Sequence, residues 1–294
     1  MPKRLLLIIA ILHSFTLKGQ RLLGDVYNTY MYDLKIINPA FTSRANEQSF
    51  NTVYKERPVT NDITNIAVSY DNHISKLNSG VGLLLSSNSS RALTETSIRV
   101  LYNYTYRISD DSKLTLGVGV NHLTQRINTG NNRVIVTRDF VINVEAPTLK
   151  KYNMDFGVGY IRNGLMMGIG LGNLTLKSND DTNLFSQSSG IFVNGFVSKD
   201  LNMTSWLVFR PSIYFFNYYD QWNTDLNSFF EVTNLVIAGL SYNLDRYNNR
   251  LKWNVGISYK DQLELLLATG PYEDLNDNKL YWHEVLCRIR ISNK

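Results

Sequence analysis

A period of two constrains this chain more than any other feature. From Thr94 to Ile108 one parity reads Ile98, Val100, Tyr102, Tyr104, Tyr106 and Ile108. The other reads Glu95, Ser97, Arg99, Asn103, Thr105 and Arg107, with Leu101 as the exception. Neighbouring side chains on a strand point to opposite faces, so this is a strand of roughly fifteen residues with one greasy and one wet face. The pattern recurs. Leu114, Leu116, Val118 and Val120 alternate with Thr115, Gly117, Gly119 and Asn121. Met154, Phe156, Val158 and Tyr160 alternate with Asn153, Asp155, Gly157 and Gly159, and Leu251, Trp253, Val255, Ile257 and Tyr259 with Lys252, Asn254, Gly256, Ser258 and Lys260. Strands of a soluble sandwich average about 5–6 residues. These are longer, and their apolar parity often ends in aromatic residues, as the girdles of a membrane barrel do.

A multi-span helical protein is excluded, because each span needs about 20 consecutive apolar residues and the mean hydropathy is −0.19. A barrel strand needs only about 9–11 residues, half of them facing lipid. The 18 Tyr, 18 Gly and 6 Pro suit strands joined by tight turns. The net charge of +5 is scattered singly outside Lys3 and Arg4, which argues against a nucleic-acid partner. The expected fold is all-β: a transmembrane antiparallel up-and-down β-barrel with an even number of strands, twelve or fourteen, in the outer membrane of a Gram-negative bacterium. A soluble two-sheet sandwich is the rival.

Connections are expected to alternate in length. Ser109–Ser112, Arg162–Gly164 and Lys199–Asn202 read as short turns, and the stretches near 128–152, 174–189 and 217–228 as long loops. Residues 250–267 form one long strand or, with Asp261 and Gln262 in a turn, two.

Three divisions are expected. Residues 1–19 read as a signal peptide, with Lys3 and Arg4 before the apolar Leu5–Leu12 and cleavage near Gly19. Residues 20–47 are expected to form an N-terminal periplasmic or lumen-contacting segment, with a mere lead-in to the first strand as the alternative, and 48–294 the barrel, whose first strand is about Gln48–Arg57. No cysteine follows the leader, which excludes a lipoprotein, and Cys287 as the only cysteine excludes an intrachain disulfide.

The chemistry read from the residues is sparse. His73, His122 and His283 stand apart without metal-ligand spacing, so neither a catalytic group nor a metal or other cofactor is assigned. Asp274, Asn276, Asp277 and Asn278 resemble the start of a calcium loop, but Lys279 replaces its glycine and no glutamate follows at the last ligand position. The polar parity places Arg99, Asn103, Arg107, Lys252, Lys260, Glu284, Arg288 and Arg290 in the lumen. Their mixed signs fit a packed polar interior better than an aqueous pore. His283 and Glu284 are neighbours, so only one of them faces inward.

Several segments in order resemble the PorP/SprF family of outer-membrane barrels. Tyr30-Met31-Tyr32 followed by Ile37-Asn38-Pro39-Ala40-Phe41 is similar to the family's opening, and Ser79–Leu83 to its glycine-rich strand start. Tyr102–Ile108 with Lys113–Gly117 resembles its aromatic hairpin, and Val255–Tyr259 and His283–Val285 its late strands. Tyr54-Lys55 continues into Glu56-Arg57-Pro58 without the family's tryptophan, and the chain ends in Ile291–Lys294 rather than an aromatic residue. The resemblance implies a non-enzymatic part in type IX secretion or gliding motility. The implied partners are other components of that system, a large secreted cell-surface protein and outer-membrane lipid. The segment expected to meet a partner comprises Tyr30, Met31, Asn38, Pro39, Ala40 and Phe41. A passive channel or transporter for small or hydrophobic solutes is the alternative.

Overall fold

The structure is a computed structural model, and it describes residues 27–43, 47–57, 63–90, 93–127, 134–137, 140–143, 148–178, 191–218, 221–244, 250–260, 262–273 and 279–292. The expected leader and the Asp274–Asn278 loop lie outside the described residues. The strands are β1 (Glu47–Arg57), β2 (Ile63–Ile74), β3 (Ser79–Ser89), β4 (Leu93–Arg107), β5 (Ser112–Ile127), β6 (Val134–Thr137), β7 (Phe140–Asn143), β8 (Thr148–Arg162) and β9 (Leu165–Ser178). They continue with β10 (Phe192–Lys199), β11 (Leu201–Thr204), β12 (Leu207–Tyr218), β13 (Gln221–Val232), β14 (Val236–Leu244), β15 (Arg250–Tyr259), β16 (Leu263–Glu273) and β17 (Lys279–Ser292).

All but β6 and β7, which pair only with each other, belong to one antiparallel sheet that closes on itself. β10 and β11 are one barrel strand interrupted at Asp200, since both pair with β12, so the barrel has fourteen strands. Closure comes from β1 against β17, in register from Glu47↔Ser292 to Glu56↔His283. It removes the open edge that would leave unpaired backbone groups in hydrocarbon.

The burial pattern inverts that of a soluble protein and rules out the sandwich. On β4 the apolar parity is the exposed one, with Val100 59% exposed, while Asn103 opposite is 1% exposed. Apolar side chains therefore cover the outside, where lipid meets them, and polar ones pack inside. Leu101, the exception on the wet parity, is buried in the interior at Gly119.

One barrel end carries connections of two to four residues: 75–78, 108–111, 163–164, 205–206, 233–235 and 260–262. The long connections 128–147 and 179–191 are both at the other end. Asn163 and Gly164 both have positive φ (46° and 76°), the geometry that a two-residue hairpin in the sense of strand twist requires.

Two expectations about connections change, and one open alternative is decided. Lys199–Asn202 is not a hairpin turn, because β10 runs on into β11 and the chain reverses at 205–206. The stretch 217–228 is not a long loop, because β12 and β13 pair as far as Tyr218↔Gln221. Its polar residues misled: Asp225 and Asn227 are buried inside the barrel, while Trp222 and Leu226 face out. Residues 250–267 are two strands, with the turn at 260–262.

Candidate functional site

The lumen is filled by the chain's own Tyr27–Ser43, folded as three single turns of 3₁₀ helix at Tyr30–Tyr32, Leu34–Ile36 and Pro39–Phe41. Sequence explains the last of these. A residue before proline is held extended, and Asn38 has φ −148° and ψ 115°. Its Oδ1 accepts from the Ala40 backbone N–H at 2.9 Å, and Pro39 takes the first helical position, where an N–H would go unused. Thr42 Oγ1 closes the turn by donating to the Pro39 carbonyl.

This turn sits in a cradle of lumen-facing glycines. A Cβ on Gly117 would lie 2.2 Å from both Ala40 N and Pro39 C, and one on Gly157 would lie 1.9 Å from Asn38 Oδ1. Gly159 and Gly168 leave room for the Phe41 ring in the same way. β5, β8 and β9 thus let backbone approach backbone, which any side chain would prevent.

The rest of the segment is held by an apolar core and by polar latches. Tyr30 packs on Tyr214 with ring centroids 4.5 Å apart, Tyr32 edge-on to Phe229 at 5.4 Å, and Phe41 on Phe196 at 4.9 Å. Met31, Leu34 and Ile37 join Val53, Leu84, Ile237, Leu266 and Leu286 in one buried cluster. Glu284, fully buried, accepts from the Asn28 backbone (2.8 Å) and Nδ2 (3.1 Å) and from the Thr29 backbone (2.7 Å) and Oγ1 (2.6 Å). Lys55 Nζ stands 3.8 Å from the same carboxylate. Lys35 Nζ is shared by Asp33 at 2.5 Å and Asp71 at 2.7 Å. Backbone carbonyls of the segment are taken as well: Ile36 by Arg99, Ile37 by Asn194, Ala40 by Asn103 and Tyr32 by Arg288. Burial raises the pKa of the Tyr30 and Tyr32 phenols above the usual tyrosine range, so both remain neutral.

Of the eight residues expected in the lumen, six lie inside. Arg99 meets Asp155 at 3.1 Å, Lys252 meets Asp225 at 3.4 Å, and Arg288 and Arg290 share Glu264. Asn103 and Glu284 hold the segment, and His283 points out, hydrogen-bonded to Thr269. Arg107 has the inward parity but is exposed at the last residue of β4. Lys260 is a correction: it occupies a left-handed turn position (φ 49°), exposed, with Nζ over the Tyr259 ring rather than in the lumen.

Tyr30, Met31, Asn38, Pro39, Ala40 and Phe41 all lie within the barrel, and only Phe41 is not fully buried. Ala40 and Phe41 line a cavity of about 300 Å³ left between the segment and the wall near the short-turn end. Sequence reading missed the glycine cradle and the acceptors Asp71, Asp155, Asp225 and Glu264. A signal for the cradle was present in Gly117/Gly119 and Gly157/Gly159, glycines two apart on the wet parity. Among the described residues no group of three or more His, Cys, Asp or Glu side chains is disposed to hold a metal ion.

No curated protein sequence matches the chain. Solved structures share its fold at low identity. The CymD monoaromatic hydrocarbon channel has a TM-score of 0.51 and 9% identity, over 92% of this chain and 94% of that one. A TodX monoaromatic hydrocarbon channel mutant has a TM-score of 0.50 and 10% identity, over 90% and 94%. CdiB from Acinetobacter baumannii (TM-score 0.45, 7% identity) is matched over 84% of this chain, which spans only 60% of CdiB. The family profile described as type IX secretion system membrane protein PorP/SprF matches residues 21–287. Profile and barrel together place the protein in the outer membrane, and the chain belongs to the PorP/SprF family of type IX secretion system membrane proteins.

Proposed function

We propose that this barrel is a non-enzymatic component of a type IX secretion or gliding system that supports export or surface attachment of a partner protein. The carrying observation is the occupied lumen: Tyr27–Ser43 is anchored to the wall by Glu284, Arg288, Arg99, Asn103 and Asn194. A conduit needs free cross-section, whereas a docking platform needs rigidity, and buried latches supply rigidity. In this reading residues 1–19 are a cleaved leader, 20–47 a periplasmic or lumen-contacting segment, and 48–294 the barrel. The partners are other components of the system and a large secreted surface protein, met on the short-turn side where Ala40 and Phe41 border the cavity.

The test is a detergent pull-down of the native protein with mass spectrometry, paired with conductance in planar bilayers. Secretion or gliding components, or one large surface protein, should be recovered with a barrel that does not conduct. A partnerless, conducting barrel would refute the proposal. It would favour the second reading, a passive channel for small or hydrophobic solutes, as the names of CymD and TodX describe those proteins. At about a tenth identity that likeness concerns fold alone.

A further inference from the structure

The outward face of β4, β5, β8 and β9 changes character along its length. Midway it is apolar, with Val100, Val120, Phe156 and Leu171 all exposed. Toward the long connections it becomes a grid of cations and hydroxyls. Tyr152 of β8 pairs with His122 of β5 on one side and with Lys177 of β9 on the other. In the next row Lys150 pairs with Thr124, which pairs in turn with Thr96, and beyond it Arg126 stands between Thr94 and Thr148. Cross-strand partners share a face, so Arg126, Lys150 and Lys177 all point outward, and all three are exposed. Lys150 is a diagonal neighbour of both Arg126 and Lys177, about 7–8 Å from each along the sheet.

The charges on this face have one sign. These four strands carry two acidic residues, Glu95 and Asp155, and both have the inward parity. Glu95 accepts from Gln125 Nε2 at 2.6 Å, and Asp155 meets Arg99 at 3.1 Å, all inside the barrel. Arg126 and Lys177 have no hydrogen-bond or ion-pair partner among the described residues. A second observation sets the depth. The His122 and Tyr152 rings lie 4.7 Å apart at the boundary between the apolar stretch and the cations. Amphipathic rings of this kind occupy the headgroup level of a bilayer, so the three cations stand at or just beyond it. Like charges gathered there repel one another unless an anion stands among them.

We propose that this face binds the phosphorylated headgroup of an outer-leaflet glycolipid. Long connections face the outside of the cell, so the lipid at this end belongs to the outer leaflet, which in a Gram-negative envelope is built of phosphorylated glycolipid. Its phosphate oxygens sit among Arg126, Lys150 and Lys177, where a guanidinium offers two parallel N–H donors. Its sugar hydroxyls meet Thr124 and Thr148, and its acyl chains lie along Val120, Phe156 and Leu171. Free phosphate satisfies the cations but leaves that apolar strip without an occupant. The site stands apart from the partner-supporting function, since it concerns the lipid face and not the lumen.

The full chain in detergent would be titrated with lipid A carrying its phosphates, with the dephosphorylated lipid and with inorganic phosphate, and native mass spectrometry would count what stays bound. Each cation near an anionic headgroup contributes about fivefold, so the phosphorylated lipid should bind roughly a hundredfold tighter than the dephosphorylated one. Arg126→Gln, Lys150→Gln and Lys177→Gln together should bring the two lipids to parity. Lys177→Gln alone should cost about fivefold, which keeps the test available if the triple variant does not fold. Arg162→Gln, exposed at the short-turn end of β8, should leave the ratio unchanged. Equal binding of both lipids by the wild type, or the full preference retained in the triple variant, would overturn the site. Displacement by inorganic phosphate at the lipid's own concentration would overturn it too, by showing a free-phosphate pocket.

Discussion

Replacing Glu284 by alanine removes one carboxylate that holds four donors and faces one cation. The donors are the backbone and side chain of Asn28 and of Thr29, at 2.6–3.1 Å, and the cation is Lys55 at 3.8 Å. Each neutral donor left unpaired in a buried site costs about 1–3 kcal/mol, and the costs do not add because water enters. Removing one partner from a buried ionic group costs about 3–5 kcal/mol, which sets the scale for the whole latch. The loss falls on the segment's first described residues, since Lys35, Arg99, Asn103 and Arg288 still hold the stretch from Tyr32 to Ala40. Tenfold per 1.4 kcal/mol turns this into roughly a hundred- to several-thousand-fold faster amide exchange at Asn28 and Thr29. Acceleration should be much smaller at Ala40 and Thr42. Glu284→Gln, which keeps acceptors but not the charge, should fall between. Hydrogen–deuterium exchange by mass spectrometry on protein in nanodiscs reads this directly, and heat-modifiability on a gel shows that the barrel stays closed. Unchanged exchange at Asn28 and Thr29 in a folded Glu284→Ala barrel would refute the latch.

Three further outcomes come from the geometry. Gly117→Ala puts a methyl against the Pro39–Ala40 backbone, which cannot yield as a side chain would; thermal melting should show about 1–3 kcal/mol of destabilisation, with faster exchange across residues 38–42. Val100→Arg places a charge on the lipid face of β4 and should cost about 2–4 kcal/mol in urea unfolding from lipid vesicles, whereas a water-facing position would tolerate it. Gly164→Ala forces a side chain into the left-handed backbone of the β8–β9 hairpin (φ 76°) and should cost about 1–2 kcal/mol in the same assay.

Period-two alternation carried most of the fold, because lipid and lumen impose opposite demands on alternate residues and the sequence answers at each position from Ile98 to Arg107 except Leu101. It failed where the inner face is so polar that a strand looks like a loop. Asp225 and Asn227 stand inside β13, and only Trp222 and Leu226 on the opposite parity betray the strand. Asn38-Pro39-Ala40 marked a rigid opening without saying where it lodges, since its cradle is made of Gly117, Gly157 and Gly168, far along the chain. The latch was less legible still. Glu284 and Asn28 are 256 residues apart, and no local pattern pairs one acidic residue with two amides at that distance.

The same separation has a consequence for the order of assembly. The segment that fills the lumen precedes the first strand, while two of its anchors, Glu284 and Arg288, sit on the last. β17 is also the strand that seals the cylinder against β1. Sealing the wall therefore also completes the fastening of the stopper, which Asp71, Arg99, Asn103 and Asn194 hold from earlier strands. A copy cut short before β17 loses its seam together with the Glu284 and Arg288 latches.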